Sequence, residues 1–131
     1  MAIDIVIVDD HELVANGIAK YFEDKPEYKV IGKYYSPQVA LEKIELLQPD
    51  IVLSDLDMPG LNGLEMISVA KQKSPQTKFV LLTMHLSKQL YQKAKQLGVE
   101  GYLPKSTDEE ELFMCIAQLV KGKTYYSQKL M

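Results

Sequence analysis

Four short apolar runs and one loosely alternating stretch recur along this chain, and each is followed by apolar residues spaced three or four apart. A short apolar run suits a strand buried between two layers, and a three-to-four spacing suits a helix with one buried face. The strand stretches are residues 3–8, 28–35, 51–55, 78–83 and 101–103. The helical stretches carry start and stop signals. Ser36-Pro37 opens one as N-cap and first helical residue, and Pro49 ends it. Asn62 with Glu65 forms a capping box for the next, and Thr107 with Glu110 reads as another. Gly98 and Gly122 close the last two helices.

Strand-then-helix units with short connections cross over right-handed and place helices on both faces of a parallel sheet. The expected fold is therefore α/β and doubly wound, a flavodoxin-like (βα)5 unit with five parallel strands in the order 2-1-3-4-5. A length of 131 residues suits one such domain, placed at residues 1–122. Residues 123–131 read as a polar, tyrosine-containing tail or the start of a linker to an output domain absent from this chain. The apolar face of the fourth helix is thin, mainly Leu90, Ala94 and Leu97.

Composition excludes several functions. The net charge of −3 gives no basic face for DNA. No apolar run can span a bilayer, so no membrane partner is expected. A single cysteine, Cys115, excludes an internal disulfide, fits the cytoplasm and falls on the buried stripe of the last helix with Leu112, Ile116 and Leu119. There is no zinc-ligand spacing and no Gly-rich phosphate loop.

The chemistry lies at the strand ends. The first strand stops at Asp9-Asp10 and the third at Asp55, with Asp57 and Met-Pro-Gly following. The fourth stops at Thr83, and Lys105 follows the fifth. In a doubly wound sheet these ends share one edge, where such folds bind ligands. Converging carboxylates repel unless a cation joins them, and hard oxygen donors suit Mg²⁺. Asp55 would then attack a phosphoryl group as nucleophile, with Lys105 pairing its charge and Thr83 donating to one of its oxygens.

The motifs resemble one family. Val-Asp-Asp-His-Glu-Leu at 8–13, the run from Pro49 to Glu65, Leu-Thr-Met-His at 82–85 and Gly-Tyr-Leu-Pro-Lys-Ser at 101–106 are similar to response-regulator receiver domains of two-component signalling. The first and last resemble the subfamily with a LuxR-type helix-turn-helix output. The resemblance implies Asp55 as phosphoacceptor from a sensor histidine kinase and Asp10 as a direct Mg²⁺ ligand. It implies Asp9 as a ligand chiefly through water and the backbone carbonyl of Asp57 as a further one. Thr83 and Tyr102 would be a switch pair, and the fourth helix, fifth strand and fifth helix a partner face. Phosphorylation would promote homodimerisation, and DNA would be reached only through the absent output domain. Such a protein is no turnover enzyme; it catalyses its own phosphorylation and dephosphorylation.

Ser106 follows the lysine where many relatives have a cis proline. Met84 is bulkier than the small residue many relatives carry. Met84 and His85 are candidate modulators at the site mouth. His85 otherwise reads as an exposed loop residue, and His11 as an ordinary first-turn residue. Two rivals differ in class. A haloacid-dehalogenase-type phosphatase shares the Asp55-x-Asp57 pattern, but its acidic pair comes last in the chain and Pro59 breaks its motif. A stand-alone or phosphorylation-independent interaction module would keep the fold without accepting phosphate.

Overall fold

The computed structural model describes residues 2–85 and 87–130. Six strands and five helices alternate as β1 (Ile3–Val8), α1 (Glu12–Lys20), β2 (Tyr28–Tyr34), α2 (Pro37–Leu47), β3 (Ile51–Asp55), α3 (Gly63–Lys73), β4 (Lys78–Thr83), α4 (Lys88–Leu97), β5 (Gly101–Pro104), α5 (Glu109–Val120) and β6 (Tyr125–Tyr126). A 3-10 turn, Gln128–Leu130, follows. The sheet order is β2-β1-β3-β4-β5-β6 and every pairing is parallel.

The period of two along each strand divides the core between the sheet's faces. Val6 and Val8 of β1, Val52 of β3 and Phe79 and Leu81 of β4 pack with Ala40, Ile44, Met66, Ile67, Ala70 and Ala94, under α2, α3 and α4. Ile5 and Ile7, Ile51 and Leu53, and Val80 and Leu82 pack with Ala15, Leu112, Ile116 and Leu119, under α1 and α5. Cys115 belongs to this second layer, where burial pushes its thiol up to about 12 and suits it to packing rather than reactivity.

The sixth strand corrects the expectation of five. Tyr125-Tyr126 is too short to show a strand pattern, and it is held by polar groups as well as apolar ones. The Tyr125 N–H donates to the carbonyl of Glu100 at 2.9 Å, and the Ser127 N–H to that of Tyr102 at 2.9 Å. Glu111 of α5 accepts from the hydroxyls of Tyr125 (2.9 Å), Ser127 (3.0 Å) and Thr107 (3.0 Å), with Lys129 Nζ at 3.7 Å. On the opposite face Tyr126 stacks on Tyr102 with centroids 5.5 Å apart and meets Tyr91 of α4 edge-on at 5.1 Å. The residues read as a tail are therefore docked on the sheet through Lys129.

Two further readings change. Thr107 does not cap α5; Asp108 does, accepting the Glu111 N–H at 2.8 Å, while the Thr107 hydroxyl serves the Glu111 carboxylate. Leu97 is 40% exposed, and the buried side of α4 is built from Ala94 with the partly buried Leu90 and Tyr91. The Asn62–Glu65 capping box and the left-handed Gly98 stop stand as expected.

Burial alone would raise the Glu111 carboxyl, but its three hydroxyl donors and Lys129 outweigh that and hold it below the ordinary glutamate value. A carboxyl depressed by folding contributes stability above its unfolded pKa and loses it as pH falls through the folded value. Glu111→Gln is expected to lose about 1–3 kcal/mol at neutral pH. Its deficit should shrink as pH is lowered through the ordinary glutamate range. Urea melts at neutral and acidic pH measure both; a deficit independent of pH would contradict the assignment.

Candidate functional site

The loops after β1, β3, β4 and β5 meet at the carboxyl edge of the sheet. The Asp9 N–H donates to the Tyr34 carbonyl at 3.1 Å, so Asp9 continues the β1–β2 pairing beyond the strand, and its side chain is only 1% exposed. Asp55 closes β3 and is 2% exposed. The Lys105 N–H donates to the Thr83 carbonyl at 2.7 Å, so the β4–β5 pairing sets where the lysine departs. Gly63, the first residue of α3, lies against the Asp55 backbone; a Cβ there would run into the Asp55 carbonyl. Its N–H donates to the Leu56 carbonyl at 2.7 Å, which seats α3 directly behind the site.

Lys105 Nζ stands 3.1 Å from Asp9 Oδ2 and 3.1 Å from Asp55 Oδ2. These contacts are ionic in distance but poorly directed for hydrogen bonding, and both oxygens lack a directed donor, as does Asp10 Oδ1. Burial is the largest influence on Asp55 and raises its carboxyl; the Asp9 charge adds to it, and Lys105 with the Asp57 N–H offsets only part. Burial works against the Lys105 charge, but Asp9 and Asp55 outweigh it and hold the ammonium protonated above its ordinary value. Two carboxylates thus share one ammonium, with the Asp10 carboxylate close beside them. Their excess charge and their undonated oxygens make a site that a divalent cation would fill, and one donor atom from each of Asp9, Asp10, His11 and Asp55 lies within 4.8 Å of the others.

The other expected residues lie around this cluster. Thr83 is buried, and its hydroxyl accepts the His85 N–H at 2.9 Å. Tyr102 is fully buried and pairs with Leu81, two residues before Thr83, so Thr83 and Tyr102 share the α4 face of the sheet. The Tyr102 hydroxyl is buried with no hydrogen-bond partner. Met84 is 75% exposed at the mouth. His85 is exposed, as expected of a loop residue, but its Nε2 lies 3.0 Å from Asp57 Oδ2, so the two form a pair across the opening. No cis peptide bond occurs among the described residues, and the Lys105–Ser106 bond is trans.

His11, read as an ordinary first-turn residue, is the N-cap of α1, and its Nδ1 lies 3.2 Å from Asp10 Oδ1 and 3.5 Å from Asp9 Oδ1. Its position directly after two acids was the available signal. Sequence reasoning missed the Tyr91 and Tyr126 rings that enclose Tyr102.

Comparison with known proteins agrees with this geometry. The family model for the response regulator receiver domain matches residues 5–117. The response regulator protein VraR of Staphylococcus epidermidis is 30% identical over 131 residues, covering all of this chain and 63% of that protein. A two-component response regulator of the LuxR family from Aurantimonas superposes with a TM-score of 0.92 at 30% identity, covering 99% of this chain and 93% of that one. The isolated REC domain of RcsB from Salmonella enterica, in the presence of the phosphomimetic BeF3−, gives 0.90 at 26% identity, covering 99% and 96%. The chain spans 54% to 63% of the length of the curated relatives it matches.

Removing the one cation from a buried pair leaves its partners uncompensated. Lys105→Met is expected to destabilise the protein by about 3 kcal/mol in metal-free buffer. Adding Asp9→Asn should recover part of the loss, because it removes the repulsion. Urea melts of the two variants test this, and an undiminished stability of Lys105→Met would rule it out.

Proposed function

The chain belongs to the response regulator receiver domain family of two-component signalling, and from that premise we propose that it is a phosphorylation-dependent switch whose phosphoacceptor is Asp55. The observation that carries the reading is the position of Lys105 Nζ, 3.1 Å from both Asp9 and Asp55. It fixes the buried nucleophile and leaves an acidic cluster short of positive charge.

A carboxylate oxygen of Asp55 attacks phosphorus in line, and the phosphorus–nitrogen bond to a phosphohistidine of the sensor kinase breaks. The imidazole leaves and the product is an acyl phosphate. Asp55 loses its own charge in this step, so Lys105 transfers its pairing to the phosphoryl oxygens. The Thr83 hydroxyl accepts the His85 N–H at 2.9 Å and donates at 3.5 Å to the His85 carbonyl, a long contact that its proton would exchange for a phosphoryl oxygen. The orphaned, hard oxygens of Asp9, Asp10 and Asp55 fit Mg²⁺, with Asp9 acting through water and the Asp57 carbonyl as a further ligand. When bound, the ion holds the acids ionised and shields the phosphoryl charge. Asp57, His85 and Met84 ring the opening and tune how readily water reaches the acyl phosphate.

The reaction serves signalling rather than turnover. Thr83 and Tyr102, on one face beneath α4, form the switch pair, and α4, β5 and α5 the responding surface. The relatives include transcriptional regulatory proteins and LuxR-family regulators, which supports transcription as the output; the DNA-binding domain would lie outside these residues, and phosphorylation would promote a dimer. Among the described residues no helix is long and apolar enough to cross a membrane, and a cytoplasmic setting suits the buried free Cys115. Membership of the receiver family leaves the phosphatase reading without support.

Incubation with a small phosphoryl donor is expected to add one phosphoryl mass to the intact protein when Mg²⁺ is present, and none to Asp55→Asn. An adduct that persists in Asp55→Asn would displace Asp55. An inert protein with the donor left intact would favour a phosphorylation-independent module.

A further inference from the structure

We propose that His11 is a metal ligand of the acidic site, and that its imidazole makes the site prefer borderline divalent cations such as Mn²⁺ and Ni²⁺ over Mg²⁺ to a degree that oxygen donors alone would not give. The inference rests on reading the carboxylate cluster as a cation site; it concerns which cation that site selects.

His11 is the N-cap residue of α1, with an extended backbone and no side-chain capping bond, so its ring has no part in holding the helix. Its N–H donates to Asp9 Oδ1 at 2.8 Å, which tethers the residue to the acids. The ring then turns Nδ1 inward, 3.2 Å from Asp10 Oδ1 and 3.5 Å from Asp9 Oδ1. Adjacent ligands of an octahedral ion with bonds of about 2.1 Å lie about 3 Å apart. The nitrogen and Asp10 Oδ1 are thus nearly at the separation of neighbouring ligands, with Asp9 Oδ1 further off, in keeping with a role through water.

Two independent features say that this is a cation position and not merely a polar surface. Asp9 and Asp55 are 1% and 2% exposed and share a single ammonium at 3.1 Å through Oδ2, and the buried Asp10 Oδ1, the oxygen nearest His11, receives no directed hydrogen bond. Lys105 also leaves room: it stands on the Oδ2 side of Asp9, whereas His11 lies against Oδ1. A cation bound there would accept the lone pair of Nδ1 in the neutral imidazole. The ring is 67% exposed, so it can adjust by small rotations. Mg²⁺ prefers oxygen donors, whereas Mn²⁺, Ni²⁺ and Zn²⁺ accept imidazole readily.

The chain has two histidines, so a nitrogen signal from bound metal has only two sources. The test is pulsed EPR of the full chain loaded with Mn²⁺ alone, using the wild type, His11→Ala, His85→Ala and Asp10→Asn. Competition with Ni²⁺ and Mg²⁺ runs alongside. The expected result is nitrogen coupling of a directly bound imidazole in the wild type and His85→Ala, lost in His11→Ala. Ni²⁺ affinity should fall about tenfold in His11→Ala while Mg²⁺ affinity changes little. Mn²⁺ that binds, is weakened by Asp10→Asn and shows no nitrogen coupling would overturn the role of His11 and leave the cation site standing. Coupling that survives in His11→Ala and vanishes in His85→Ala would transfer the role to His85. No saturable Mn²⁺ binding in any form would overturn the cation site itself.

Discussion

The ammonium of Lys105 between Asp9 and Asp55 is the contact on which the carboxyl edge of this sheet depends. Burying each carboxylate costs on the order of several kcal/mol, and placing two together adds their repulsion. One lysine offsets enough of this to keep the edge folded and too little to make it electrostatically satisfied. The lysine stands there because its backbone N–H is bonded to the Thr83 carbonyl, so the register of β4 against β5 decides where the charge lies. A slip of one residue in that register would turn every side chain of β5 to the opposite face. Fold and site are therefore the same constraint seen at two scales.

Features that repeat with a regular period, or that sit at the end of such a repeat, were legible in the sequence. The five long strands, the two-layer division of the core and the convergence of Asp9, Asp10, Asp55, Thr83 and Lys105 all follow from alternation and position. Features held by one polar centre were not. Two tyrosines make too short a strand to show any period, and their anchor, Glu111, looks in sequence like any solvated acid in the first turn of a helix. The same carboxylate explains why Thr107 failed as a cap: its hydroxyl has a better partner.

Tyr102 shows why the last strand matters to the chemistry. Its hydroxyl is buried without a partner, which costs about 1–3 kcal/mol. The inward position of the ring is therefore held by its neighbours and not by a hydrogen bond of its own. Those neighbours are Tyr126, stacked at 5.5 Å, and Tyr91, edge-on at 5.8 Å. Lys95 Nζ lies over the Tyr91 ring at 4.8 Å and the Tyr126 ring at 5.5 Å. The three rings and the lysine join α4, β5 and β6 in one packed unit.

That unit bears on how the proposed phosphorylation of Asp55 would be felt beyond the site. Moving a two-state equilibrium from 1:99 to 99:1 takes about 5.5 kcal/mol. A single hydrogen bond from Thr83 to a phosphoryl oxygen would contribute about 1.5–3 kcal/mol, too little to drive the proposed switch alone. The remainder has to come from other phosphoryl contacts, including that of Lys105, or from a low resting cost. The ring already lies inward, so turning it is no part of that cost. Because Tyr126 and Tyr91 pack against the same ring, a change at Tyr102 has to be accommodated in α4 and in the last strand together. The last strand is thereby coupled to Tyr102 by direct contact.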